Sequence, residues 1–151
     1  SEVIIHPRNA SQMYKGVIDL DCFSSCLQDL QHPVIYNGDI TTFEEYSAIT
    51  SKFPTVAGIM IGRGLIMNPF LVNDINSGEY TFNIKLFRNF HDALFNDYSQ
   101  YLEGGDKQLL MKMKEKWEFF AKLFPENKKE IKQIKKANNL KNFQNAYNSL
   151  R

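Results

Sequence analysis

Two short segments carry residue types suited to holding a phosphate. Asn37-Gly38-Asp39 follows an apolar run at residues 33–36, and Gly62-Arg63-Gly64 follows another at residues 56–61. Glycine lets a backbone approach a ligand closely. Paired glycines leave backbone N–H groups accessible, and Arg63 adds a fixed cation with a donor fork. Either segment alone is also a plain turn. Together, at the ends of successive strands, they read as one cradle. His6-Pro7-Arg8 closes a third apolar run, Val3-Ile4-Ile5. If the three strands are neighbours, His6 sits on the same rim and can donate a hydrogen bond to a ring or a phosphate. His32 and His91 lack such a setting and read as structural.

The cradle needs strands to carry it. The run before His6 ends at Pro7, which forbids a central strand from continuing. Residues 19–31 place Leu20, Phe23, Leu27 and Leu30 at helical spacing. Residues 33–36 form a second strand. Thr42-Phe43-Glu44-Glu45 has the form of a capping box, and a helix is expected to follow to about Phe53. Residues 56–61 form a third strand. Pro69 opens a short helix with Phe70 and Leu71. Alternating strands and helices point to parallel βαβ units, and the unbroken apolar runs point to strands buried on both faces. Ligands bind at the C-terminal ends of such strands.

From about residue 77 the period changes. Phe87, Phe90, Leu94, Tyr98 and Tyr101 form one helical stripe, and Leu110, Met113, Trp117, Phe120 and Phe124 form another. A third helix is expected from Pro125 with Ile131 and Ile134 inward. A fourth follows Asn138-Asn139 and carries Leu140, Phe143, Tyr147 and Leu150. These stripes read as the core of a four-helix bundle. The organisation expected is therefore an α/β part over residues 1–76 and an all-α part over residues 77–151.

The charge follows the same division. The 151 residues carry a formal net charge of +1, but residues 1–104 hold 6 basic and 12 acidic groups, whereas residues 105–151 hold 12 basic and 5 acidic. Such asymmetry fits two modules with different partners. A basic module can hold polyanions through phosphate contacts, and it can also be a solvated, lysine-rich surface. Cys22 and Cys26 do not make a disulfide framework and read as reduced thiols on one helix face. No further Cys or His has the spacing of a zinc site. No apolar run reaches the roughly 18 residues of a membrane span, and the first residues lack the pattern of a signal peptide.

Taken in order, these segments resemble one family. Ile5-His6-Pro7-Arg8, followed by Gln12-Met13-Tyr14-Lys15-Gly16 and Asp19, resembles the sixth strand and following loop of the tRNA-dihydrouridine synthases. Pro33-Val34-Ile35 with Asn37-Gly38-Asp39-Ile40 resembles the seventh strand. Gly58-Ile59-Met60-Ile61-Gly62-Arg63-Gly64 with Asn68-Pro69-Phe70 resembles the eighth. The family's C-terminal helical domain matches the second part, so the resemblance covers nearly the whole chain. Two positions depart from the pattern: Asn9 stands where Thr is usual, and Leu20 follows Asp19 where Trp is usual.

The resemblance implies a partial TIM (β/α)₈ barrel, strands six to eight, followed by a four-helix bundle. It implies a cytoplasmic enzyme that reduces uridine to dihydrouridine in tRNA, using FMN and NADPH. His6, Asn37, Gly38, Asp39, Gly62 and Arg63 would bind FMN. Arg8 would lie near the flavin or the RNA, and Lys128, Lys132, Lys135 and Lys136 would hold tRNA phosphates. The family's catalytic Cys belongs to an earlier strand, and neither Cys22 nor Cys26 matches its place. A complete barrel typically needs about 250 residues. The chain is therefore expected to be a fragment or truncated product, inactive alone, whose open strand edge could pair with another copy. The alternatives are a stand-alone, non-catalytic RNA-binding or interaction module derived from the family, and another phosphate-binding flavin barrel such as a dihydroorotate dehydrogenase relative.

Overall fold

The computed structural model describes residues 1–12 and 16–151. Met13, Tyr14 and Lys15, the middle of one motif above, lie outside the described residues. The chain divides into two compact units. One comprises Ser1–Leu65 and Pro69–Tyr80, the other Ile66–Asn68 and Thr81–Arg151.

The first unit is built on three parallel strands in the order β1 (Val3–Ile5), β2 (Val34–Asn37) and β3 (Gly58–Met60). Parallel neighbours need a crossover, and α1 (Leu20–Asp29) and α2 (Phe43–Lys52) supply the two. The register pairs Ile5 with Tyr36 and Tyr36 with Ile59. All three strands therefore end on the same rim.

Local chemistry sets the helix limits. The Asp19 carboxylate accepts a hydrogen bond from the Cys22 N–H at 2.8 Å and starts α1. Thr42 and Glu45 form the expected capping box, and Glu45 also accepts from the Thr41 N–H and hydroxyl at 2.7 and 2.8 Å. Some limits differ from expectation: β3 is shorter than residues 56–61, and the helix expected from Pro69 begins at Leu71. α1 stops at Asp29, and Leu30 is an extended, partly exposed C-cap rather than part of the buried stripe. Pro33 lies three residues beyond and the chain must straighten before it. In addition, Gly62-Arg63-Gly64 is not wholly loop. A five-residue helix, α3 (Arg63–Met67), begins inside it, and α4 (Leu71–Ser77) follows.

Phe23, Val34, Tyr36, Ile40 and Phe53 form the core of this unit, with Ile5, Leu27, Ile49 and Ile59 packed around them. Phe23 meets Tyr36 and Phe53 edge-on, at 5.1 and 5.0 Å between ring centres. Among the described residues, the two faces of the sheet differ in burial. Val34 and Tyr36 are buried, whereas Ile4 and Met60 on the opposite face are 55% and 47% exposed. The expectation of strands buried on both faces fails for this chain, because α1 and α2 pack on one side of three strands.

The second unit contains α5 (Ile84–Tyr101), α6 (Gly105–Phe120), α7 (Lys128–Lys136) and α8 (Leu140–Asn148). Asn83 caps α5 and Asn139 caps α8, each through its side-chain oxygen. α7 starts at Lys128, three residues after Pro125. Trp117, Met113, Phe87, Ile134 and Phe143 are fully buried at the centre. The stripe on α6 is buried throughout. The one on α5 is not: Phe87 is buried, but Phe90 and Tyr101 are 37% and 80% exposed. His91 completes the buried surface of α5 instead. Its Nε2 accepts from the Trp117 indole N–H at 3.2 Å, and its ring stacks on Tyr147 at 3.9 Å.

Candidate functional site

The register carries the rim outward from the strands. Arg8 and Asp39 each lie three residues beyond the paired Ile5 and Tyr36, and Gly62 lies three beyond Ile59. Asp39 is held from both sides. Its Oδ2 accepts from Arg8 Nη2 at 2.6 Å, and its Oδ1 accepts from Arg63 Nη2 at 2.8 Å. Arg8 also donates from Nη2 to the Gly16 carbonyl at 3.1 Å. Two guanidinium groups around one carboxylate leave an excess of positive charge at the strand ends.

The two arginines differ in setting. The Arg8 side chain is 2% exposed, whereas Arg63 and Asp39 are 37% and 40% exposed. Arg8 Nε and Nη1 are buried and have no hydrogen-bond partner among the described residues. Arg8 was expected at the flavin or the RNA. Its guanidinium is held by Asp39 and the Gly16 carbonyl at the strand ends.

His6 and Asn37 tie the first two strand ends together. His6 Nδ1 meets the Asn37 carbonyl, which only accepts, so Nδ1 is the donor in this contact. The Asn37 side-chain amide donates to the Met60 carbonyl at 2.9 Å and joins β2 to β3. Burial, followed by the Asp39 charge, pushes the Tyr36 phenol above its ordinary pKa, so it stays neutral under this rim.

The glycines separate into two kinds. A Cβ on Gly64 would lie 2.0 Å from the Ile40 carbonyl oxygen, so the close approach of two backbones requires glycine there. A Cβ on Gly62 would meet nothing within 4 Å. Protein packing does not require that glycine, and the space beside it can admit a ligand.

The site thus gathers His6, Arg8, Asn37, Asp39, Gly62 and Arg63. The lysines belong to the other unit. Lys132 and Lys136 are exposed on α7, and Lys128 is exposed at its start. The Lys135 ammonium is held by Glu118 of α6 at 2.7 Å. The exposed Cys22 thiol on α1 is pushed above its ordinary pKa by Cys26 and then Asp19, so it lacks thiolate character.

Sequence reasoning missed the arginine–aspartate–arginine link. The equal offset of Arg8 and Asp39 from paired strand residues was the available signal.

Comparison with known proteins decides the family. Residues 1–150 match the family model for dihydrouridine synthases. The chain belongs to the dihydrouridine synthase family. Among curated members, it is 36% identical to a probable tRNA-dihydrouridine synthase of Rickettsia conorii over 74 residues, 49% of this chain and 22% of the relative. It is 36% identical to tRNA-dihydrouridine synthase B of Pasteurella multocida over 73 residues, 48% of this chain and 22% of the relative. A human tRNA-dihydrouridine(47) synthase NAD(P)(+)-like protein is 35% identical over 79 residues, 52% of this chain and 12% of the relative. The match spans about a fifth of the two bacterial members and less of the human one. No helix among the described residues is long and apolar enough to cross a membrane.

Proposed function

We propose that this chain is the cofactor-phosphate and RNA-holding part of a cytoplasmic, flavin-dependent tRNA-dihydrouridine synthase. The three strands are read as the last three of a (β/α)₈ barrel, and the helical unit as a four-helix bundle. The open strand edges and the exposed Ile4 and Met60 suit a sheet that continues into further strands. Self-association through the same edges is the competing use of them.

The carrying observation is the Arg8–Asp39–Arg63 link beside the open space at Gly62. The residues present fit the phosphate end of FMN. Arg63 and the Gly62 backbone would hold the phosphate. Asn37, Gly38 and Asp39 would line the chain between phosphate and ring, and His6 would face the ring. Arg8 acts from beneath, keeping the Asp39 carboxylate in place while its buried charge adds to the anion preference. The flavin, when bound, supplies hydride for the C5–C6 bond of a uridine, with NADPH as the electron source. The chain's own groups bind, orient and exclude water.

The experiment is genetic and chemical. Dihydrouridine is measured in tRNA from cells with the gene, without it, and with it restored. Loss on deletion and return on restoration are expected. An unchanged dihydrouridine content in the deletion strain would reject the reading.

A further inference from the structure

α1 carries the only two cysteines of the sequence, Cys22 and Cys26, four residues apart. Phe23 of the same helix is buried in the core, while Cys22 is exposed and Cys26 is partly exposed beside it. The two thiols are in hydrogen-bond contact. Neither belongs to the rim that gathers His6, Arg8, Asn37, Asp39 and Arg63.

Their spacing excludes one use and suits another. Residues four apart on a helix hold their Cβ atoms about 5–6 Å apart. A disulfide needs about 3.5–4.5 Å, so Cys22 and Cys26 cannot join while α1 keeps its turns. One atom inserted between the sulfurs removes the conflict. A pyramidal centre with bonds of roughly 2.3 Å, the length of a metal–thiolate bond, holds two sulfurs about 3.5 Å apart. Thiols in hydrogen-bond contact already stand near that separation.

The surroundings select the kind of centre. No group of three or more His, Cys, Asp or Glu among the described residues could hold a metal ion, so a cation that takes four ligands is not served. Residues 16–51 hold six acidic groups and no Lys or Arg. Asp19, Cys22, Cys26 and Asp29 follow spacings of three, four and three, which puts a carboxylate beyond each end of the thiol pair. Cys26 and then Asp19 keep the Cys22 thiol above its ordinary pKa. A ligand that needs free thiolates is penalised on this face. A neutral ligand that condenses with thiols in their protonated form is not.

We propose that Cys22 and Cys26 form a chelating site on the outer face of α1 for one trivalent arsenical of the class R–As(OH)₂. Two arsenic–oxygen and two sulfur–hydrogen bonds break, two arsenic–sulfur bonds form, and two waters leave. Charge is unchanged and no oxidation state alters. Either thiol alone makes one exchangeable bond. The pair closes a ring across one helical turn, and the second bond forms within the chain.

The test uses phenylarsine oxide as the probe and the reduced full-length protein, with excess 2-mercaptoethanol as the competing monothiol. One phenylarsenic group is expected on the tryptic peptide spanning residues 16–52, retained against the monothiol and released by 2,3-dimercaptopropanol. Cys22→Ser and Cys26→Ser each weaken retention about 100-fold or more, since an intramolecular second contact is worth roughly 10²–10⁴. The double variant Ser24→Cys, Cys26→Ser keeps two thiols but sets them two residues apart, where helix side chains do not face each other, and it weakens retention to the same degree. Far-UV circular dichroism shows that each variant keeps its helix content. Wild-type retention in either serine variant overturns the site, as does a label that maps outside residues 16–52. Wild-type retention in the double variant overturns the spacing argument and the chelate with it.

Discussion

Arg8 and Asp39 meet at 2.6 Å, and the arginine brings a side chain only 2% exposed to a carboxylate that is 40% exposed. A buried guanidinium is tolerated only while paired and hydrogen-bonded. The pair therefore fixes the rim of the sheet from below, and Arg63 joins it from above.

Removing the carboxylate strands the buried charge. Asp39→Ala is expected to cost of order 3 kcal/mol, the low end for breaking a buried pair, because one partner is half exposed. Asp39→Asn keeps an acceptor and should cost less. Urea unfolding of the full-length protein gives both values, and equal stability of wild type and Asp39→Ala would contradict the buried-pair account.

The two glycines give opposite expectations. Gly64→Ala drives a methyl against the Ile40 carbonyl and is expected to destabilise by about 1–3 kcal/mol. Gly62→Ala has open space and should leave the melting temperature nearly unchanged while lowering flavin content. Melting curves and the flavin-to-protein absorbance ratio separate the two. A Gly62→Ala protein with full flavin would show that the open space is not used.

The helical unit should weaken in mild acid. Burial lowers the His91 pKa below its ordinary 6.5, against the raising effect of Asp92. The unfolded chain therefore binds more protons between the folded value and about 6.5. Stability is complete above 6.5, falls as the pH drops through that window, and levels off below the folded pKa. His91→Gln keeps an acceptor for Trp117 and should remove this slope. Trp117 fluorescence during urea unfolding at several pH values is the readout, and an equal slope in the variant would assign the effect elsewhere.

Much of this was legible in the chain. The capping box at Thr42 and Glu45, the Asn139 cap and the fully apolar stripe from Leu110 to Phe124 depend on near neighbours, and they appear where their spacing places them. What failed depends on distant contacts. α3 begins at Arg63, and Gly64 within it lies against the Ile40 carbonyl, a contact no local pattern announces. Lys135 pairs with Glu118 of another helix, a partner that the spacing within α7 does not announce. Tyr101 lies on a good helical stripe yet is 80% exposed, since the far end of α5 outruns the core. His91 was read as structural, and its burial against Trp117 and Tyr147 agrees.

The phosphate assignment is tested most directly by comparing FMN with riboflavin, which lacks the phosphate. Full-length apoprotein, wild type and Arg63→Ala, is titrated with each and followed by flavin fluorescence. One charge-assisted contact is worth about 1.5–3 kcal/mol, roughly 10- to 100-fold in affinity. Wild type is predicted to prefer FMN, and Arg63→Ala to lose most of that preference while binding riboflavin as before. An Arg63→Ala protein that keeps the wild-type ratio of FMN to riboflavin affinity would contradict the account.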